Sequence, residues 1–445
     1  MLGLISPAAL AAGDTLHHES LPNGMAVSVV RCAECPVASM RLWYHVGSVD
    51  ELPGTRGFAH LFEHLMFGGS QNYSKQALDQ VHHGSGGYNN AHTSFDETVY
   101  ESDVPVSALS SVLKIEADRM TRLSLTEENL ANEKKIVTEE LRLRAENDVV
   151  NRILMKVQSR ALADHPYGHS PIGTKEEIAA ATLDHARQFY GDFYRPNRAH
   201  LVIVGPVDVD ATLTEVRELF GSQPAGGPPL LVVEPIVGRE PTARQRLDEE
   251  IPPVEIAAIV YPLPPADSPD AAAITVMQQM LAWNSVDPFE QELVHERHKA
   301  VFAGAKSFAL RRAGLMAFFS AALPYRRERS AWRFMHESVS SLSKLEWLTE
   351  ESLSGAKRAL VNQDLSAAYY AAARAGAVGQ ALWWEGDPHK AFTRSDALEA
   401  VTRRDVENAF RTYIAQAKPY EVYVKPRRVP LLVRLFGWLY PLVSK

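Results

Sequence analysis

The segment "GMAVSVVRC" alternates apolar and polar positions with the period of two that marks a β-strand. The next, "ASMRLWYHVGSVDELPG", predicts a second strand that runs into a polar turn. After it, "GFAHLFEHLMFGG" is densely apolar at helical spacing, which predicts a buried helix. A loop follows, then a strand within "NNAHTSFDETVYESDV" and helices over about 106 to 122 and 127 to 146. A further strand and helix are predicted in "AHLVIVGPVDVDATLTEVRELFG".

Proline and glycine in "SQPAGGPPLLVVEP" interrupt any period, which places a linker at 223–245. Beyond it the order repeats. "EIAAIVYPLPPADSPDAAAITVMQQML" gives strand, polar loop and apolar helix, as "SMRLWYHVGSVDELPGTRGFAHLFEHLMF" does. "ATLDHARQFYGDFYRPNRAHLVIVG" and "AVTRRDVENAFRTYIAQAKPYEVYVKP" both run from helix into strand. The offset between copies is about 220 residues, so the expected fold is α+β: two similar domains, each a mainly antiparallel sheet packed with helices. Their expected bounds are 13–222 and 246–428.

At 445 residues the chain can bury a sizeable interior. An apolar share of 46% with 22% charged residues is a globular profile. A net charge of -8 without a basic block argues against nucleic acid as a partner. The first twelve residues, within "MLGLISPAALAAGD", read either as a shortened export signal, which implies the periplasm, or as a plain terminus, which leaves the cytoplasm open. No window offers the uninterrupted apolar run of a membrane span. The apolar tail 429–445, with basic flanks, suits contact with a membrane surface or docking on its own chain equally well. Of the two cysteines, Cys32 and Cys35, the lone CxxC spacing slightly favours unpaired thiols in a hairpin loop over a local bridge.

The predicted buried helix contains "HLFEH". His60 and His64, four apart, leave one helix face a turn apart, which suits two nitrogens converging on one metal ion. Glu63 can reach the same pocket and take a proton from an attacking water. A catalytic zinc usually has three protein ligands and one open position, so another helix must contribute. In "EENLANEKKIVTEELRLRAEN", Glu133 and Glu140 are seven apart and share a face with Leu130, Val137 and Leu141, whereas Glu139 is turned by about 100 degrees. Glu140 is therefore chosen as the third ligand. Glu133 is the nearby carboxylate that tunes the site, counted with Glu63 among the catalytic residues. The second copy of the helix has no histidine pair.

In order and spacing, "GFAHLFEHLMFGG", "GGYNNAHTSFDETVYES", "NEKKIVTEEL" and "FYRPNRAHLVIVG" resemble the inverted-zincin peptidases that include pitrilysin, insulin-degrading enzyme and mitochondrial processing peptidase. The length resembles the short-subunit bacterial branch, in which two chains close a clam-shell chamber. The resemblance implies one zinc ion on His60, His64 and Glu140, with Glu63 as general base of an endopeptidase. It also implies that "GGYNNAHTS" holds an edge strand along which a peptide substrate lies beside Asn90, Ala91 and Thr93. His82, His83 and His92 read as surface or satisfied histidines.

The sequence departs from that pattern in its second half. Relatives that complete their own site carry an arginine followed seven residues later by a tyrosine. The matching positions in "FEQELVHERHKAVFAGAKSF" are Val294 and Val301, and seven residues beyond Arg297 stands Gly304. Either a related subunit supplies the pair in a heterodimer, or the chain manages without it. The heterodimer is favoured because an extended peptide needs contacts on both walls. The alternative from another class is a non-catalytic structural subunit, which has no reason to retain the base.

Overall fold

Strands β1 (Thr15–Ser20), β2 (Ala26–Arg31), β3 (Ala38–Tyr44), β4 (Tyr88–Thr93), β5 (Thr98–Val104) and β6 (Ala199–Gly205) form one sheet in the order β1-β2-β6-β3-β5-β4. Strands β7 (Gln245–Glu249), β8 (Glu255–Leu263), β9 (Phe302–Ala309), β10 (Gly314–Ala322) and β11 (Tyr420–Pro426) form the other, in the order β7-β11-β8-β10-β9. Each sheet has one parallel pair, β2 with β6 and β7 with β11, and is otherwise antiparallel. The second sheet reproduces the first from β2 to β4, so the expected repeat and the α+β class are both present. These observations come from a computed structural model that describes residues 15–143, 149–163, 165–227, 236–237, 244–282, 290–323, 330–431 and 433. The expected export signal at 1–12, most of the linker at 223–245 and nearly all of the tail beyond 431 lie outside the described residues. Among the described residues no helix is long and apolar enough to cross a membrane.

The chain forms two compact units that are not contiguous in sequence. One contains the described residues of 1–152, 169–233 and 363–395; the other contains those of 153–168, 234–362 and 396–445. This differs from the uninterrupted stretches expected at 13–222 and 246–428. Most of the helix Val149–Ala161 belongs with the second sheet, and the helix Ala371–Glu385 belongs with the first. The two helices are counterparts in the repeat, and a pair of lysines marks the correspondence. Lys134 binds the carbonyls of Ala179 and Ala181 at 2.6 and 2.7 Å. Lys357 binds those of Glu399 and Val401. The halves have thus exchanged equivalent helices.

In the first unit, helices α1 (Phe58–Leu65), α2 (Lys75–Gly84), α3 (Val106–Thr121) and α4 (Glu127–Arg142) lie close to the strand order. The predicted helices match α3 and the described part of α4. Two elements differ from expectation. The segment taken as a loop after α1 holds α2, whose first turn is capped by the Ser74 hydroxyl accepting from the Ala77 N–H at 3.2 Å. The single strand expected across 89 to 104 is a hairpin, β4 and β5, with its turn at Ser94–Glu97, where the Ser94 N–H donates to the Glu97 carbonyl at 2.8 Å.

Helix Ala371–Glu385 packs on β3 and β6. Gly379 makes the approach possible, because a Cβ there would stand 2.3 Å from Trp43 Nε1. Ala371, Ala375 and Val378 pack with Val202, Val204 and a buried disulfide between Cys32 and Cys35. The bridge corrects the expectation of unpaired thiols: the turn after β2 brings the two Cα atoms to 5.4 Å, within bonding range. Under the same helix His200 is fully buried, stacked on Trp43 and joined to His45 by a 2.8 Å hydrogen bond.

Burial pulls the His200 pKa down to about 3. An unfolded histidine protonates near 6.5, roughly its reference value. Between these values the unfolded chain holds a proton that the folded chain excludes, so stability falls as pH drops through that window. His200→Gln should flatten this dependence. The fall in urea midpoint between about pH 7 and about pH 5 is expected to be smaller in the variant than in the wild type.

Candidate metal centre

Helix α1 is short, and the protein fixes both of its ends. Gly57 precedes it with φ of 90° and offers no side-chain cap. The buried N–H groups of Gly57 and Ala59 instead donate to the two carboxylate oxygens of Glu51, each at 2.8 Å. Negative charge at a helix N-terminus is favourable in itself. Glu51 also takes a hydrogen bond of 3.0 Å from His169 Nε2. Further along, the Tyr100 hydroxyl donates to the Phe62 carbonyl at 3.1 Å. Arg119, in a buried ion pair with Glu116, lies 4.5 Å over the Tyr100 ring. Phe58, Leu61, Phe62 and Leu65 fill the core on the other side of the helix. Burying side chains of this kind contributes about 1.5–3 kcal/mol each before conformational entropy is subtracted.

The face of α1 left out of that core carries His60, Glu63 and His64, and α4 packs against it. Glu140 Oε2 stands 3.6 Å from His60 Nε2 and 3.5 Å from His64 Nε2. Glu133 Oε2 stands 3.3 Å from His64 Nδ1 and so fixes the ring orientation that turns Nε2 toward Glu140. The two imidazole rings are 4.9 Å apart, centroid to centroid, and near perpendicular. Both glutamates chosen on α4 are thus beside the histidines. Glu139 is not: it points outward and pairs with Arg142.

Among the described residues, His60, His64 and Glu140 form the one group of three donors placed to hold a metal, with ligand atoms within 4.8 Å of one another. A tetrahedral zinc ion with bonds of about 2.0–2.1 Å sets its ligands about 3.4 Å apart. The two contacts of Glu140 with the histidines come within a few tenths of an ångström of that spacing. Charge points the same way, because Glu63, Glu133 and Glu140 surround two histidines and a divalent cation offsets their mutual repulsion. The donor set therefore fits zinc.

Glu63 lies beside this trio, and Thr93 Oγ1 donates to its Oε2 at 2.6 Å. Burial pushes the Glu63 carboxyl above its usual pKa, opposed by the Thr93 hydroxyl and the nearby His64 and His92. Burial lowers His64, but the hydrogen bond and charge of Glu133, together with Glu63 and Glu140, outweigh it and leave His64 raised.

Strand β4 is an edge strand whose sheet partner is β5 alone. Ala91 is buried and Thr93 faces Glu63, while His92 turns the other way and bonds Glu101 at 2.9 Å. Asn90 and Ala91 lie along the edge as expected. Thr93 ends the same edge strand, and its hydroxyl donates to Glu63. His82 is satisfied by the Leu78 carbonyl and the Ser102 hydroxyl, each at 2.9 Å, and His83 is exposed. The sequence reading missed Glu51 and His169, for which composition and spacing offer no signal. In the other unit Val294 packs against the second core and Val301 is partly exposed. Arg297 is tied to Glu292 and Glu337 at 2.8 and 3.1 Å.

Residues 28–175 match the insulinase family, peptidase family M16, and residues 180–360 match the peptidase M16 inactive domain. The chain is 28% identical to the zinc protease PqqE of Helicobacter pylori, over 78% of this chain and 80% of that one. It is 26% identical to a probable mitochondrial-processing peptidase subunit beta of Arabidopsis thaliana, over 60% of this chain and 50% of the relative. A crystal structure of a protease from Helicobacter pylori superposes with a TM-score of 0.82 at 23% identity, covering 93% of this chain and all of the other. The peptidase M16 inactive domain structure from Pseudomonas fluorescens gives 0.80 at 18% identity, over 93% of this chain and 98% of that one. With both family domains matched in order and a fold shared across most of its length, the chain belongs to the M16 family of peptidases, the inverted zincins.

Proposed function

We propose that the protein is an active zinc metalloendopeptidase in which His60, His64 and Glu140 hold the ion and Glu63 is the general base. The observation that carries this reading is the convergence of three ligand atoms from α1 and α4 within 4.8 Å, with a carboxylate one residue from the second histidine. Zinc supplies Lewis acidity to the scissile carbonyl and to the attacking water. Thr93 Oγ1 donates to Glu63 Oε2 and so restrains the carboxylate. Glu63 accepts the proton of that water and returns it to the departing amide nitrogen. Strand β4 offers its free edge, including Asn90 and Ala91, to an extended peptide, whose backbone hydrogen bonds impose modest sequence demands.

The tied Arg297 and the valines at 294 and 301 favour a related subunit that supplies the arginine and tyrosine, with the peptide enclosed between the two chains. The Cys32–Cys35 disulfide favours an oxidising compartment, in keeping with the periplasm. Retention of the base as well as every ligand disfavours a purely structural subunit.

Glu63→Gln should retain one zinc per chain and lower kcat on an unstructured peptide by about 10²–10⁴-fold. His60→Ala should lose both zinc and turnover. Cleavage at the wild-type rate by the Gln variant would remove Glu63 from the mechanism. Glu133→Ala should weaken zinc affinity by about 10–100-fold, read by competition with a chelator. Mixing the chain with related subunits should raise peptide cleavage that chelator abolishes, whereas full activity from the isolated chain would overturn the heterodimer.

A further inference from the structure

The turn that joins β4 to β5 is gripped by a helix nearly three hundred residues away in sequence. Trp384 Nε1 donates to Glu97 Oε2 at 3.2 Å, and Trp383 Nε1 donates to the Asp96 carbonyl at 3.3 Å. Both tryptophans stand in the last turn of Ala371–Glu385, the exchanged helix. Their grip is built in on both sides. The Trp383 ring stacks on His45 at 3.5 Å and 10°, and His45 is bonded to the buried His200. The other oxygen of Glu97 accepts from Ser94 Oγ at 2.6 Å. Glu97 is buried, and burial raises its pKa, with the bonds from Ser94 and Trp384 opposing that rise. A buried carboxylate that loses one of two donors is costly, which gives the Trp384 contact its weight.

The turn leads directly into the site. Ser94 follows Thr93, whose hydroxyl holds Glu63 Oε2. A continuous run of contacts therefore extends from Trp384 through Glu97 and Ser94 to Thr93 and Glu63. The second sheet carries an equivalent grip. There the exchanged segment supplies the fully buried Tyr167, whose hydroxyl accepts from the Arg312 N–H at 3.2 Å, in the turn between β9 and β10. Strand β9 occupies the same edge position as β4. In each unit the exchanged segment fastens the turn of the edge hairpin, although the second hairpin has no metal centre beside it. Packing alone does not call for a polar side-chain atom bonded to the hairpin turn in each half, an indole N–H in one and a tyrosine hydroxyl in the other.

We propose that Trp384, assisted by Trp383, is a positioning residue that holds the β4–β5 turn so that Thr93 sets the orientation of Glu63. The inference rests on the peptidase reading above. Trp384→Phe keeps the aromatic plane and removes the donor. It should lower kcat about tenfold while KM and zinc content stay within about twofold of wild type. Amide hydrogen exchange should accelerate in the segment 88 to 98 and remain unchanged in α1 and α4. Because the effect runs through Thr93, adding Trp384→Phe to Thr93→Val should cost little beyond Thr93→Val alone.

Fully additive losses, a change in KM in place of kcat, or unaltered exchange in the hairpin would each overturn the proposal. Should Trp384→Phe fail to accumulate as folded protein, Glu97→Gln tests the same link from the turn side, with the same coupling to Thr93 expected. A wild type that binds zinc and cleaves no peptide, either alone or mixed with related subunits, would remove the peptidase reading. The exchange measurement on the hairpin would still decide whether the tryptophans hold it.

Discussion

The arrangement depends on crowding like charge at one point. Glu63, Glu133 and Glu140 are brought around two imidazoles that are themselves within van der Waals reach of each other. The carboxylates repel one another while each histidine attracts a glutamate of α4, and the protein holds α1 in place with bonds at both ends. Glu51 fixes its first turn, Tyr100 holds the Phe62 carbonyl, and the aromatic residues behind the helix anchor its other face. Those bonds restrain the helix that carries His60, Glu63 and His64.

Much of this was legible in the chain. The spacing of His60 and His64, and of Glu133 and Glu140, is helix geometry, and it puts each pair of candidate side chains on one face of its helix. The strand repeat was also legible, because buried strands such as β6 and β8 are strongly apolar. What escaped detection is tertiary. Helix α2 buries only Leu78 and His82, too few positions to display a period. The β4–β5 turn, "SFDE", has no glycine or proline to announce it. Glu51 and Thr93 gain their roles from partners brought together by the fold, and nothing adjacent to them in sequence indicates those partners.

The exchange of helices is the least legible feature. "AAARAGAVGQALWWE" reads as a helix in any context, with small residues along much of one side. No local pattern specifies which sheet it covers. Gly379 is the one position where the choice is written into the residue, since close contact with Trp43 excludes a side chain there.

This exchange limits how the polypeptide can be divided. A gene split at the linker would encode two fragments, each without a structural piece that its counterpart holds in duplicate form. Neither fragment could complete its own scaffold. The two would have to be made together and trade those pieces to rebuild either layer, so the duplicated halves are bound to a common inheritance even though, among the described residues, only one carries the cluster of metal-ligating side chains.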